Sequence, residues 1–351
     1  MTLHELISSI PPLDEAAMAA ARERQDQLTK PQGSLGRLEE LSIRIAGITG
    51  QARPVIKDKV ITVMAGDHGV VAEGVSAFPQ EVTPQMVMNF LHGGAAINVL
   101  ARHVGARVVV VDMGVAADLP AVPGLVNKKI AYGAANMAQC PAMTREQAEQ
   151  ALLAGADVVL SQLKQGLDIL GTGDMGIGNT TPSAAIAAAM TGKDPAIIVG
   201  RGTGLDDAGV QNKIEVVRRA LSVNQPDMDD ALDVLAKVGG FEIAGLAGAI
   251  LAAAANRVPV MVDGFISTAA AMIAVGLAAP AREYLFASHH SQEQGHGVML
   301  DWLGLKPLLD LDLRLGEGSG AALGLSLAEA ACKVLDEMAT FAEAAVAGKN
   351  Q

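Results

Sequence analysis

The chain has 351 residues, half of them hydrophobic, with 18% charged and a formal net charge of −12. That length fits one large domain with an appendage, or two domains. No Lys or Arg run exceeds a pair (Lys128-Lys129, Arg218-Arg219), which argues against a nucleic-acid binder, and an anionic substrate would have to be held by local groups against the overall field.

In chain order, residues 13–29 read as a polar helix, which the KPQGS segment at 30–34 interrupts. A second helix follows, with Leu38, Leu41, Ile45 and Ile48 at spacings of three and four and Ser34 placed to cap it. Leu327, Ala331, Val334, Met338, Phe341 and Ala345 form a similar stripe near the other end. Three amphipathic helices from the two termini need one another's apolar faces. We therefore expect a small helical domain of residues 1–50 with 325–351, and a large α/β catalytic domain of residues 51–324.

The middle has a different texture. Short apolar runs at 60–64 (VITVM), 108–111 (VVVV), 167–170 (LDIL), 196–199 (AIIV), 258–262 (VPVMV) and 284–286 (YLF) alternate with helical stretches. Nearly continuous apolar strands separated by helices indicate a parallel sheet covered on both faces, with Rossmann-like topology. Pro259 belongs early in its strand or at an edge. Residues 243–255, rich in Ala and Gly, read as a buried helix rather than a membrane span. Cys140 and Cys332 lack metal or redox spacing, and the N-terminus has no signal-like pattern, so a reduced, cytoplasmic protein is expected.

Ligands of such sheets bind past the carboxyl ends of the strands. Polar residues follow every run: GDHG at 66–69, DMG at 112–114, GTGDMGIGNTT at 171–181, GRGTG at 200–204, DGF at 263–265 and SHHS at 288–291. The segment at 171–181 leads into a helix expected to open at Pro182, and a glycine loop entering a helix start favours an anion such as phosphate. The alternative is a plain strand-to-helix turn. Its formal GxGxxG lacks the acid of a dinucleotide fingerprint, which disfavours a nicotinamide-dependent oxidoreductase. Asp67-His68 and the trio His289, His290, His296 lack metal-ligand spacing, so no metal is expected. Asp112 is a single acid, short of the pair that clamps magnesium in pyrophosphate-releasing chemistry. Ser319 lies directly between glycines, unlike a nucleophile elbow. In RLGEGSGAA at 314–322, Glu317 stands between glycines and reads either as a general base or as a solvated acid near a helix start.

Taken together, KPQGSLGRLE at 30–39, DHGV at 67–70, EGVS at 73–76, VTPQM at 82–86, MGIGNTTP at 175–182, KVGGF at 237–241, DGF at 263–265, Ser288-His289 and the Glu317 segment resemble the nicotinate-nucleotide–dimethylbenzimidazole phosphoribosyltransferases, the CobT family, over essentially the full length. The resemblance implies transfer of the 5-phosphoribosyl group of nicotinate mononucleotide to 5,6-dimethylbenzimidazole or a related base, giving nicotinate and α-ribazole 5′-phosphate for the lower loop of cobalamin. It implies no cofactor, no nucleic acid or membrane partner, and a homodimer. By the family match Glu317 is the base; Gly176, Asn179, Thr180, Gly202 and Lys213 hold the phosphoribosyl group; Phe78, Met86, Asp174 and Leu315 adjoin the acceptor. Lys213 alone would read as a solvated surface lysine. Many family members carry Glu where this chain has Asp174, which leaves its contact with the base open. A non-catalytic nucleotide-binding protein on the same fold is the alternative from another class.

Overall fold

The computed structural model describes residues 1–202 and 204–347. Six strands form one sheet: β1 (Lys59–Gly66), β2 (Ala106–Gly114), β3 (Leu125–Asn127), β4 (Ile169–Met175), β5 (Val260–Val262) and β6 (Leu285–Ala287). Their order is β3-β2-β1-β4-β5-β6, every pair parallel. All eight residues of β1 are buried, as a strand covered on both faces requires. The chain leaves β1 for β2 on one side and returns to β4 on the other, so the crevice between β1 and β4 is the topological switch point.

The helices that position the site are α1 (Glu15–Gln27), α2 (Arg37–Thr49), α3 (Val82–Leu91), α4 (Ala96–Val104), α5 (Arg145–Leu163), α6 (Thr180–Thr191), α7 (Asp207–Asn224), α8 (Phe241–Ala255), α9 (Phe265–Leu277) and α10 (Ser319–Glu337). Residues 241–254 of α8 are buried on every side. Its glycines let it lie almost backbone to backbone on α5: a Cβ on Gly155 would collide with the Gly245 carbonyl oxygen, and one on Gly248 with that of Leu152. Gly155→Ala should therefore destabilise the protein by about 1–3 kcal/mol, read as a lower denaturation midpoint with KM unchanged. An unaltered midpoint would refute this packing.

Helices α1, α2 and α10 pack together around Ala21, Ala46 and Leu335. Arg24 Nε donates to the Leu335 carbonyl (2.6 Å), and Leu28 bridges Thr340. The first turns of α10 also lie on the sheet, with Ala321 and Leu325 beside Gly171 of β4. Among the described residues no helix is long and apolar enough to cross a membrane.

The structure corrects several local expectations. The run at 196–199 is not a strand: Asp194 caps Ala196 N (2.8 Å), Pro195 opens the turn, and Pro195–Ile198 is a short helix. β3 is absent from the expected strands because three residues carry no readable period. Ser34 does not cap α2; Gly36 stands there without a side-chain cap, and Glu39 instead takes up Leu35 N (3.0 Å) and Lys30. α6 opens at Thr180, two residues before Pro182. The C-terminal stripe stops being helical after Glu337, where Met338 turns extended to reach the Leu28–Thr340 bridge. Pro259 does sit immediately before its strand, with its carbonyl free to accept from Leu170 N (3.0 Å). Thr203 and residues 348–351, which fell within the expected GRGTG loop and helical domain, lie outside the described residues.

Candidate active site

A cleft of about 330 Å³ opens past the carboxyl ends of β4, β5 and β6. Phe78, Met86, Asp174, Gly176, Asn179, Thr180, Gly202, Leu315 and Glu317 all line it. Lys213 stands just behind the wall, on α7, and its Nζ donates to Thr180 Oγ1 (2.7 Å). The lysine is mid-helix and 1% exposed, far from the solvated residue its isolated sequence suggests.

One end of the cleft is built for an anion. Gly176 follows β4, and a Cβ there would collide with the Gly66 carbonyl oxygen, so only glycine lets the loop cross the switch point this closely. Asn179 and Thr180 then begin α6 and line the cleft, so the positive end of the helix dipole lies there. Gly202, with φ of 53°, lies against Thr180 and Lys213 and is held by Arg314 Nη1 on its carbonyl (3.3 Å). Burial lowers the Lys213 ammonium to about 8, with the charge of Glu293 opposing the shift, so it is still mainly protonated at neutral pH.

Glu317 lines the same cleft. Gly316, Glu317 and Gly318 have φ of 81°, 62° and 94°, a left-handed run in which a glutamate is strained. The run is pinned on two sides. A Cβ on Gly173 of β4 would collide with the Glu317 carbonyl oxygen, and the buried Asp263 accepts from Gly318 N (3.1 Å) and Ala321 N (2.9 Å) at the start of α10. The Glu317 carboxylate accepts from Ile97 N (3.2 Å) in the first turn of α4. Burial raises its pKa above the ordinary glutamate value, and the Ile97 bond works against that. A carboxylate so placed is a stronger proton acceptor than a solvated one.

Asp174, at the end of β4, is raised from 3.8 to about 8, first by burial and then by the facing Asp263; the Asn179 amide (2.9 Å) opposes the shift. It is therefore a neutral acid at pH 7, able to donate. The folded state keeps a proton that the unfolded chain releases near 3.8, so this contribution to stability is complete below about pH 4 and is lost as pH rises toward 8. Asp174→Asn should make the unfolding free energy fall less steeply across that window than in the parent. Parallel slopes would refute the shift.

The other loops play supporting parts. His68 and Glu242 form a buried pair (2.8 Å) beneath Gly66 and Gly240; Glu242, the one acid at the head of an alanine-rich helix, gives no signal in the sequence. Asp67 accepts from Ala116 N (2.8 Å), and Asp112 accepts from Val115 N (2.9 Å) outside the cleft. His296 accepts from Ser291 N on Nδ1 (2.8 Å), which leaves the Nε2 proton to Thr268 (2.9 Å). Burial lowers His289 to about 4 and His296 to about 3, so both are neutral. Among the described residues no three His, Cys, Asp or Glu side chains gather to hold a metal ion. Met175, Phe265 and Ser291, in segments expected at the ligand edge but given no role, line the cleft, as does Glu293, which sequence reading passes over.

An anion-binding loop and a buried carboxylate lining one cleft past the carboxyl ends of a parallel sheet suit an enzyme that moves a phosphorylated group onto a second substrate, and a phosphoribosyltransferase family model matches residues 10–346. Curated relatives named nicotinate-nucleotide–dimethylbenzimidazole phosphoribosyltransferase include those of Chloroflexus aggregans (62% identical over 349 residues, 99% of each chain), Roseiflexus sp. (61% over 347 residues, 99% of this chain and 98% of that one) and Geobacter sulfurreducens (58% over 345 residues, 98% of each). The solved structure of that enzyme from Thermus thermophilus superposes with a TM-score of 0.91 at 48% identity, covering 96% of this chain and all of that one. A second structure, of CobT from the same organism, gives 0.92 at 50% identity, covering 95% and 100%. The chain belongs to the nicotinate-nucleotide–dimethylbenzimidazole phosphoribosyltransferase family.

Proposed function

We propose that the protein transfers the 5-phosphoribosyl group of nicotinate mononucleotide to 5,6-dimethylbenzimidazole or a closely related base, giving α-ribazole 5′-phosphate and nicotinate for cobalamin assembly. The observation that carries this is the buried Glu317 carboxylate lining one cleft with Gly176, Thr180 and Gly202, with Lys213 bonded to Thr180 behind them.

The phosphate sits against Gly176, Thr180, Gly202 and Lys213. The flat acceptor lies between Phe78, Met86 and Leu315, its N–H toward Glu317. One imidazole nitrogen attacks C1′ from the face opposite nicotinate. The new C1′–N bond forms as the bond to the pyridinium nitrogen breaks, and that electron pair leaves with the ring as neutral pyridine. The acceptor's N–H proton passes to Glu317, and C1′ is inverted to the α configuration. Because the leaving ring already carries a positive charge, no Lewis acid is needed to draw it away. Asp174, protonated, donates at the edge of the same slot.

Incubation with nicotinate mononucleotide and dimethylbenzimidazole, without added metal, should release nicotinate and α-ribazole 5′-phosphate in equal amounts by chromatography. No release across a panel of benzimidazoles, purines and phenols would overturn the reading. A cytoplasmic homodimer is part of the proposal: Phe78 and Leu315 are 51% and 57% exposed at the cleft mouth, apolar surface that a partner's helical unit would cover.

A further inference from the structure

Glu293 has no role in the mechanism above, yet it lines the same cleft and is 7% exposed. Its backbone is fixed, with the amide donating to Ser291 Oγ (3.3 Å) and the carbonyl accepting from His296 N (2.9 Å). The carboxylate lies against Gly200, where any Cβ would collide with Oε2. That oxygen is buried and has no hydrogen-bond partner in the protein. Lys213 senses its charge but gives its own hydrogen bond to Thr180. A buried carboxylate with unfilled acceptor positions is costly unless something donates to it.

The substrates limit what that donor can be. The phosphate is chiefly an acceptor, and the acceptor's one N–H is used by Glu317. The ribose 2′- and 3′-hydroxyls are the donors that remain. They are joined to the phosphate through the same sugar, and Glu293 lines the same cleft as Gly202 of the phosphate end. A ribose hydroxyl offers an O–H group to a carboxylate that lines the cleft. We propose that Glu293 accepts hydrogen bonds from the ribose hydroxyls of the phosphoribosyl donor. It thereby selects a ribosyl over a deoxyribosyl nucleotide. This assignment rests on the function proposed above.

The test is calorimetric binding, without acceptor base, of nicotinate mononucleotide and its 2′-deoxy and 3′-deoxy analogues to the parent protein, Glu293→Gln and Glu293→Ala. The parent should bind at least one analogue about 10- to 100-fold more weakly than the nucleotide, the effect of one hydrogen bond to a charged group. In Glu293→Ala the nucleotide should fall to the analogue's affinity, while the analogue itself stays within about threefold of its parent value. The Gln variant, which keeps the volume and one acceptor oxygen, should fall between. Equal loss for nucleotide and analogue would mean a structural role only and would overturn the assignment, as would a parent that does not discriminate or a gap that survives in Glu293→Ala. Whether the parent binds the nucleotide at all tests the proposed function; the gap between nucleotide and analogues tests Glu293.

Discussion

Glu317→Gln is expected to lower kcat by about 10²- to 10⁴-fold while leaving the KM for nicotinate mononucleotide nearly unchanged, because a general base acts in the chemical step. Glutamine keeps the side-chain volume and can still accept from Ile97 N, so the cleft should retain its shape. The pH profile supplies a second reading. Burial raises the Glu317 pKa, so its basic form is lost as pH falls through that raised value, and kcat of the parent should decline on the acid side. That acid limb should be missing from the residual activity of the variant. Glu317→Gly separates chemistry from folding, since glycine relieves the cost of a left-handed glutamate at φ 62°. It should abolish the catalytic advantage yet unfold no more easily than the parent, with a gain of up to about 1 kcal/mol. A Gln variant with parental kcat would remove Glu317 from the role of base.

The second large effect is expected at Lys213. Lys213→Met should raise the KM for the nucleotide by about 10- to 100-fold, the range of a lost hydrogen bond to a charged group. Methionine fills much of the buried stem, and it removes an ammonium whose burial is unfavourable, so the variant should fold at least as stably as the parent. The sign with pH is opposite to that of Glu317. Lys213 loses its charge as pH rises through about 8, so the parent's KM should climb on the alkaline side, and the variant's should not. Steady-state kinetics on both sides of that value would decide it; a KM unchanged by the substitution would place the phosphate elsewhere.

Much of this was legible in the residues. The valine and isoleucine runs at β1 and β5 showed themselves because strands buried on both faces favour apolar residues; β2 is half-buried over its first four residues. The glycines before Asn179 read as a loop favouring an anion, and the structure places that loop in the cleft, with Gly176 crossing Gly66. What stayed hidden depends on contacts between distant segments. AIIV at 196–199 has the composition of a strand, but the Asp194-Pro195 cap decides for helix. Lys213 looks solvated until α7 is laid against α6, and Glu242 until His68 is placed above it. Glu293 stands in a polar stretch with no period, and only the fold turns it toward the cleft.

Phe78 and Leu315 lead to a conclusion about evolvability. The donor half of the cleft includes glycines without room for a side chain, Gly176 and Gly202, so a substitution at either disturbs the fold as well as the ligand. The acceptor half is bounded by Phe78 and Leu315, half-exposed apolar side chains on loops whose replacement costs little stability, and by Met86 on α3. Mutational drift can therefore explore new acceptor bases one residue at a time while the phosphoribosyl donor stays the same. Lineages of this enzyme are expected to diverge in the nucleotide base they install long before they diverge in the sugar phosphate they consume.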